Sequence, residues 1–174
     1  MCILVTPSLQ YRQTHLEAFQ EFQAHGEHLD LDLTLLADRL EDLLAWIRAQ
    51  QDPTTVDPGH LPFFDYWLVD QEEWIGKLTL RPRIDEQFLI SGGHIGYEIR
   101  PSRRRRGYGT ILLRLGLEKA REQDLSRVLL TCDETNVGSK KIIEANAGRY
   151  ENAVQQEGTS VKKLRYWIDL SPTM

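Results

Sequence analysis

The sequence predicts one α/β domain, built as a central mixed, mostly antiparallel twisted sheet flanked by helices. Two patterns carry this prediction. Two helical patterns near the N-terminus precede a run of strand patterns, and a strand–turn–helix–strand unit follows that run. The length of 174 residues suits one domain with a core of its own. We therefore expect a single domain over residues 1–174.

The first 50 residues predict a strand and two helices. Residues 1–5 form a short apolar run of the kind found in strands. Apolar side chains recur every three or four residues over 11–24 and again over 34–50, which is the spacing of an amphipathic helix. The segment 24–31 between them contains a glycine and two histidines and shows no such period, so we expect a loop there.

Strand patterns dominate the middle of the chain. Residues 63–70 and 73–80 are rich in aromatic and branched side chains and are close enough to pair as a hairpin. Residues 87–90 are expected to extend this meander. Two glycines, Gly92 and Gly93, then separate it from the next strand at 94–100.

The last third of the chain alternates helices and strands. A helix is predicted over 107–123, a short apolar strand over 127–132 and a second helix over 136–146. The segments 148–153 and 163–170 are expected to close the sheet as an antiparallel pair. The buried face of the first of these helices is expected to carry Ile111, Leu112 and Leu115.

The charge distribution points to a local anionic ligand. The net charge of −5 at pH 7 argues against a nucleic-acid partner, because general nucleic-acid binders usually carry a basic excess. Arg100 and the run 103–106 nevertheless place five arginines within seven positions, whereas residues 27–42 are mainly acidic. A concentrated basic patch on an acidic protein favours a small anion over a long polyanion.

Other features predict a cytoplasmic protein without a membrane partner or a metal site. No apolar run approaches the roughly 20 residues that span a bilayer. The apolar start of the chain has no basic residues before it, unlike a signal peptide. Cys2 and Cys132 show no metal-ligand spacing. We expect Cys132 to be a small buried hydrophobe and not a catalytic nucleophile.

The chemistry is concentrated where the strand at 94–100 turns through the arginines into a helix. The first four amides of a helix lack internal partners, and the helix dipole adds about half a positive charge there. A pyrophosphate satisfies both. Gly107 and Gly109 allow the main chain to approach phosphate oxygens closely, and the arginines add charge-assisted hydrogen bonds.

Two common phosphate-binding motifs do not fit this segment. The GxxxxGK[ST] loop is absent, because the chain contains no Gly-Lys-Ser or Gly-Lys-Thr. The dinucleotide fingerprint needs a third glycine at position 112, which is Leu112. The pattern that remains is Arg-x-x-Gly-x-Gly, formed by Arg104, Gly107 and Gly109.

This pattern resembles the pyrophosphate loop of the GCN5-related N-acetyltransferases, the GNAT family, which follows the fourth strand of that fold. Asn136, followed by a short helix and then by Gly148 and Tyr150, resembles the second motif of the family. The resemblance covers residues 95–150. It implies an acyltransferase that uses acetyl-CoA and acetylates a primary amine of a small molecule, peptide or protein by direct transfer in a ternary complex, as a monomer or homodimer.

The resemblance also implies roles for individual residues. Ile99 offers its backbone groups to the pantetheine arm, Asn136 reaches the pantetheine or fixes the adjoining loop, and Ser139 lies near the cofactor. The strands that end at Arg100 and Cys132 splay to admit the thioester. The pyrophosphate is held by the main-chain amides of Arg104, Arg105, Arg106, Gly107, Tyr108, Gly109 and Thr110.

The chemical step needs a base, because an amine of ordinary pKa near 10.4 is almost wholly protonated at pH 7. His94 and Glu98 lie on the strand that borders the implied site, on one face by strict alternation. Both are candidates for the base. His94 as a structural histidine and Glu98 as the ion-pair partner of an arginine are the competing interpretations.

The chain departs from the family at one position. Many members have a tyrosine seven residues after the asparagine, as the acid that protonates the leaving thiolate, and here that position is Ile143. The acid is therefore unassigned. This departure supports an alternative, a catalytically silent sensor or scaffold that only binds CoA; a ribosome- or RNA-associated protein is a third hypothesis. For Asn136, a helix cap and a ligand role are equally compatible with the sequence.

Overall fold

The computed structural model describes residues 1–56, 58–155 and 158–170, so that residues 57, 156–157 and 171–174 of the expected domain lie outside the described residues. Strand β1 (Ile3–Val5), helix α1 (Arg12–Ala24) and helix α2 (Leu33–Ala49) confirm the N-terminal predictions, with a loop between the helices. Asp32 starts α2 by accepting hydrogen bonds from the amides of the second and third residues after it. Within the described residues, no helix is long and apolar enough to cross a membrane.

The next three strands complete a four-stranded antiparallel sheet. They are β2 (Phe64–Asp70), β3 (Glu73–Leu80) and β4 (Ile95–Ile99), and the strand order is β1-β2-β3-β4. Gln71 and Glu72 connect β2 to β3 with φ of 48° and 66°. Two positive φ values are what a tight turn with the twist of a hairpin requires.

The prediction for residues 87–90 was wrong, because this segment is helical. Helix α3 (Glu86–Ile90) begins where the side chain of Asp85 accepts a hydrogen bond from the amide of Phe88. Glu86 adds negative charge to the first turn, which favours a helix start. The capping pattern therefore outweighs the short apolar run that suggested a strand.

The C-terminal part forms a second, three-stranded sheet around its last strand. The elements are α4 (Tyr108–Glu122), β5 (Arg127–Asp133), α5 (Val137–Ala145), β6 (Arg149–Gln155) and β7 (Lys162–Asp169). The strand order is β5-β7-β6, and both pairings are antiparallel. The expected closing pair is confirmed, and its second strand also pairs with β5.

The two sheets meet where β4 and β5 begin. The His94 amide donates to the Leu129 carbonyl at 2.8 Å, and the Leu129 amide donates to His94 Nδ1 at 2.9 Å. Gly93 permits this approach, since a Cβ there would collide with the Leu129 carbonyl. Both strands start at this junction and end at one cavity, so they run in the same direction and make the sheet mixed. Beyond the junction no ladder joins them within the described residues, which confirms the expected splay.

Alternate residues of β2 face two separate apolar cores. Leu68 belongs to the core under α4, whereas Trp67 and Val69 face α1 and α2. Leu112 is fully buried on α4 as predicted, but Ile111 and Leu115 are only half-buried. The core side of α4 is completed by Leu113, Gly116, Leu117 and Ala120.

Arg100 fastens α1 to the sheet at the end of β4. Only 4% of the residue is exposed. Its guanidinium contacts Glu21 Oε1 at 2.5 Å, Glu73 Oε1 at 2.6 Å and the Trp74 carbonyl at 3.3 Å. Burial raises the pKa of Glu21. Hydrogen bonds from Arg100 and Ser102 lower it by more than burial raises it, so the pKa in the folded state lies below the ordinary value.

We expect Arg100→Ala to lower the free energy of unfolding by about 3 kcal/mol, because two half-buried carboxylates lose their shared cation. Urea denaturation measures this. Arg114→Ala removes an exposed pair with Glu118 and should cost about 0.5 kcal/mol or less. In the unmodified chain the contribution of Glu21 to the free energy of unfolding is fully present above the ordinary carboxyl pKa, and it is lost as the pH falls through the lowered pKa of the folded state.

The Arg100→Ala variant should therefore lose less stability on acidification than the unmodified chain. An equal loss of stability in both would contradict the Arg100–Glu21 ion pair as the cause.

Candidate active site

A cavity of about 750 Å³ lies where β4 and β5 separate. This volume suits a small-molecule or cofactor site. We call the space between residues 97–99 of β4 and residues 135–139 after β5 the interstrand gap. The lining residues are Glu27, Tyr97, Glu98, Ile99, Arg104, Arg105, Gly109, Thr135, Asn136, Val137, Gly138, Ser139 and Ile142.

The N-terminus of α4 opens onto this cavity without a side-chain cap. Its cap residue Gly107 has φ 84° and ψ −9° and makes no capping hydrogen bond, whereas side chains cap α2, α3 and α5. The first intrahelical bond runs from the Ile111 amide to the Gly107 carbonyl at 3.1 Å. The amides of Tyr108, Gly109 and Thr110 precede it and therefore remain available to an anion.

The two glycines of this segment are required for different reasons. Gly107 adopts a left-handed conformation with open space around its Cα, so the backbone angle alone favours glycine. Gly109 packs against Ile142, and a Cβ there would collide with that side chain. Gly109 thus holds α4 close to α5 and keeps the two helix starts on one cavity.

The arginines divide into structural and unpaired groups. Arg103 contacts Glu73, and Arg104 donates two bonds of 2.7 Å to the Glu27 carboxylate and a third of 2.9 Å to the Ile99 carbonyl. Hydrogen bonding to Arg104 lowers the pKa of Glu27, and the same bond raises that of Arg104. By contrast, two exposed arginines have no partner within the described residues, and they are Arg105 and Arg106.

The main chain of β4 faces the interstrand gap at alternate residues. The Arg100 amide donates to the Ile75 carbonyl on β3. In the same register, the main-chain groups of Tyr97 and Ile99 point away from β3 and toward the gap. Because Arg104 already donates to the Ile99 carbonyl, this edge offers a ligand the amides of Tyr97 and Ile99 and the carbonyl of Tyr97.

Residues at the start of α5 form the opposite wall. Asn136 caps the helix, since its Oδ1 accepts a hydrogen bond from the Ser139 amide at 3.0 Å. The Ser139 hydroxyl lies 2.8 Å from the hydroxyl of Tyr97 across the gap. Tyr108 points elsewhere, because its hydroxyl donates to Asp70 at 2.9 Å. Only the main chain of Tyr108 can serve the cavity.

Glu98 presents a carboxylate to the cavity from β4. Its Oε2 lies 2.8 Å from His28 Nε2, and Lys77 Nζ lies 3.5 Å from Oε1. Oε1 is buried and has no hydrogen-bond partner. Buried polar atoms in proteins are usually satisfied, so Oε1 retains hydrogen-bonding capacity beside the Lys77 ammonium.

The loop between α1 and α2 fixes His28 against Glu98. His28 has φ 51°, and its ring lies 5.3 Å from that of Phe19 and 5.0 Å from that of Phe22. Gln23 donates to the His28 carbonyl at 3.1 Å. No local sequence pattern distinguishes His28 as a site residue, because its partner Glu98 is 70 residues away in the chain. The two histidines in an otherwise unpatterned loop were the only feature that could have indicated it.

His94, the other candidate base, is not brought to the cavity. Its Nδ1 accepts the Leu129 amide at the junction of β4 and β5, and the residue is buried. Burial, assisted by the positive charge of Arg127, lowers the pKa of His94 to about 4. Its ring therefore serves the strand junction as a neutral acceptor.

Comparison with known proteins places this site in a family. The model of the GNAT acetyltransferase family matches residues 11–148. The chain belongs to the GNAT family. It is therefore an acetyltransferase, with acetyl-CoA as its acyl donor. A search of curated protein sequences finds no match.

Solved structures show the same fold at low sequence identity. RimJ of Mycobacterium smegmatis, in complex with a CoA disulfide, is 17% identical with a TM-score of 0.71, over 97% of this chain and 81% of that one. The ribosomal-protein-S5-alanine acetyltransferase of Vibrio fischeri is 15% identical with a TM-score of 0.69, over 97% and 93%. The microcin C7 self-immunity acetyltransferase MccE, bound to acetyl-CoA and AMP, is 12% identical with a TM-score of 0.70, over 97% and 92%.

At the position where many GNAT enzymes have a tyrosine, Ile143 is completely buried in the core. It packs closely against Gly148, where a Cβ would collide with it. The next residue toward the helix start, Ile142, lines the cavity instead. Position 143 thus offers no proton donor, and any group that assists the leaving thiolate must come from another element.

We expect Gly107→Ala to weaken CoA binding about fivefold, because alanine disfavours φ 84° by about 1 kcal/mol and displaces the uncapped amides at the start of α4. Titration calorimetry with CoA measures this change. Gly59→Ala is the matched control, since Gly59 has φ 81° and equally open surroundings but does not line the cavity. It should lose similar stability and keep its affinity. Equal CoA affinity in Gly107→Ala and the unmodified chain would contradict the role of these amides.

Proposed function

We propose that this protein acetylates a primary amine by direct attack on acetyl-CoA in a ternary complex, with Glu98 as the general base. The observation that carries the proposal is the Glu98 carboxylate in the cavity lining, whose buried Oε1 has no hydrogen-bond partner and lies 3.5 Å from Lys77 Nζ. Its second oxygen is held by His28 at 2.8 Å. One oxygen is thus fixed, and the other has the capacity to accept the proton of an ammonium group.

The pyrophosphate of the donor would lie at the uncapped start of α4. The proposed ligands are the main-chain amides of residues 105–110, since the Arg104 amide already donates to the Pro101 carbonyl. Arg105 and Arg106 would add charge from the solvent side. Arg104 instead braces the loop through Glu27. Asn136 and Ser139 would border the pantetheine arm, and the main-chain amide of Ile99 would bond to it from the edge of β4.

These residues divide the work of the chemical step. Glu98 removes a proton from the ammonium, which frees the nitrogen lone pair to attack the thioester carbonyl. A β4 main-chain amide that faces the gap stabilises the negative charge on the carbonyl oxygen. The carbon–nitrogen bond then forms as the carbon–sulfur bond breaks, and the electron pair of the broken bond leaves with the sulfur.

Glu98 is the carboxylate of the cavity lining that can attract a cationic acceptor, because its Oε1 has no hydrogen-bond partner, whereas Glu27 is already paired with Arg104. We propose a primary amine of a small molecule, a peptide or a protein, because solved structures of similar fold include a ribosomal-protein-S5-alanine acetyltransferase and a putative phosphinothricin N-acetyltransferase. Two free cysteines, Cys2 and Cys132, agree with a reduced, cytoplasmic setting.

One observation supports a second candidate, a protein that binds CoA without transferring an acetyl group. Ile143 is buried where many relatives carry an acid, so the cavity lacks that group. Release of free thiol from acetyl-CoA with a panel of primary amines separates the two functions. Thiol release that depends on an amine supports transfer, and CoA binding without it supports the silent protein.

We expect Glu98→Gln to reduce kcat by about a hundredfold or more, the usual contribution of a general base. The KM for acetyl-CoA should change little, because Glu98 lies outside the proposed pyrophosphate contacts. Amine-dependent thiol release gives both constants. Glu118→Gln, on the exposed face of α4, is the matched control. Near-normal turnover in Glu98→Gln would exclude Glu98 as the base.

We expect His28→Ala to lower kcat about tenfold, because the Glu98 carboxylate loses the donor that holds its Oε2. His28→Gln should restore most of this loss, since a glutamine amide places an N–H donor in a comparable position. Steady-state kinetics on both variants test the idea. His25→Ala, in the same loop but bonded to the Glu21 carbonyl, should behave as the unmodified protein. A glutamine variant as slow as the alanine variant would contradict a purely orienting role.

A further inference from the structure

Two hydroxyl groups face each other across the narrow end of the interstrand gap. The Tyr97 hydroxyl lies 2.8 Å from the Ser139 hydroxyl and 3.4 Å from the Ser139 carbonyl. Both residues line the cavity and are half-buried. The Tyr97 hydroxyl has no partner other than Ser139 in the described hydrogen bonds, so it is a polar feature of the cavity itself. Burial raises the pKa of the Cys132 thiol, and a hydrogen bond with Ser139 acts in the opposite direction, so the Ser139 side chain also has a role outside the pair.

A count of hydrogens shows that this pair has a donor to spare. Two hydroxyls carry two hydrogens, and their mutual bond uses one of them. The 3.4 Å contact with the Ser139 carbonyl is long for a hydrogen bond between oxygens. When the Ser139 hydroxyl donates to Tyr97, the Tyr97 hydrogen remains for a ligand in the gap.

The position of Tyr97 along β4 places it near the reacting end of the donor. The gap is closed at the His94–Leu129 junction and widens toward Ile99. The start of α4, proposed above to hold the pyrophosphate, lies beside Ile99, since Arg104 binds the Ile99 carbonyl. A chain that extends from that point into the gap has its far end beside Tyr97, two residues closer to the junction.

Tyr97 is suited to donate a hydrogen bond without losing its proton. Burial raises the pKa of Tyr97 to about 12, although the Ser139 hydrogen bond acts in the opposite direction. An ordinary thiol has a pKa near 8.5. A phenol of higher pKa keeps its hydrogen in the presence of a thiolate, and a hydrogen bond to an ionised acceptor is about twice as strong as a neutral one.

We propose that Tyr97 donates a hydrogen bond to the departing thiolate of coenzyme A and so replaces the hydroxyl that position 143 lacks. This inference rests on the proposed binding of acetyl-CoA in the cavity. As the carbon–sulfur bond breaks, its electron pair moves to sulfur and the Tyr97 hydrogen bond stabilises the charge that develops there. The amine proton goes to Glu98, and the thiolate later takes its proton from solvent.

The test measures the thiol pKa of bound CoA, which requires neither an acceptor amine nor turnover. The ultraviolet absorbance of the thiolate is followed against pH in the unmodified protein, Tyr97→Phe, Ser139→Ala and Tyr150→Phe. Loss of a hydrogen bond to a charged sulfur in Tyr97→Phe should raise the thiol pKa by about one unit. Tyr150 is an exposed tyrosine of β6 outside the cavity lining, and its variant is the control.

Ser139→Ala distinguishes the two hydroxyls. Without Ser139 the Tyr97 hydroxyl still carries its hydrogen, so the thiol pKa should stay at the value of the unmodified protein. The charged groups that line the cavity, Glu27, Glu98, Arg104 and Arg105, are the same in every variant. They therefore affect all four titrations alike.

Two results would overturn the proposal. One is a thiol pKa in Tyr97→Phe equal to that of the unmodified protein, with CoA bound to both. The other is a raised value in Ser139→Ala but not in Tyr97→Phe, which would make Ser139 the donor. Failure of the unmodified protein to bind CoA would instead refute the proposed function, and the inference with it.

Discussion

The site depends on the way in which β4 and β5 are joined at one end and separated at the other. At the junction, the His94 ring takes the place of a main-chain acceptor for the Leu129 amide. Gly93 allows the two backbones to approach there. A continued ladder would have filled the space between the strands, whereas their separation leaves unpaired edges and a cavity of about 750 Å³. The helix starts of α4 and α5 border that cavity because each helix follows one of these two strands.

Ion pairs across the fold determine which charges remain for ligands. Three arginines near the end of β4 are neutralised by carboxylates of the N-terminal half, and the pairs are Arg100 with Glu21 and Glu73, Arg103 with Glu73, and Arg104 with Glu27. These arginines thus form ion pairs that hold α1 and the loop after it against the start of α4. The same loop carries His28, which contacts Glu98. The proposed base Glu98 and the loop before α4 are consequently braced by neighbouring residues of one loop, His28 and Glu27.

Much of the fold could be predicted from local patterns. Helices α1, α2, α4 and α5 have strong spacing or capping signals, and the strands around them were correctly located. The error at α3 arose because residues 87–90, three of which are apolar, suggested a strand. Asp85, two residues before them, caps a helix instead. The side of α4 that faces the core also differs from the predicted one. Ile111 and Leu115 lie at the edge of the core, whereas Leu113 and Leu117 lie at its centre.

The sequence by itself indicated the family, the donor and the uncapped helix start that is proposed to hold the pyrophosphate, because a helix start with glycines depends on residues close together in the chain. Only the tertiary structure decided which side chains share the cavity. Glu98 and His28 are 70 residues apart and Tyr97 and Ser139 are 42 apart, so no local pattern records either contact. The structure also removed His94 from the candidates, because the two strands that it joins come from separate sheets whose meeting point is set by packing.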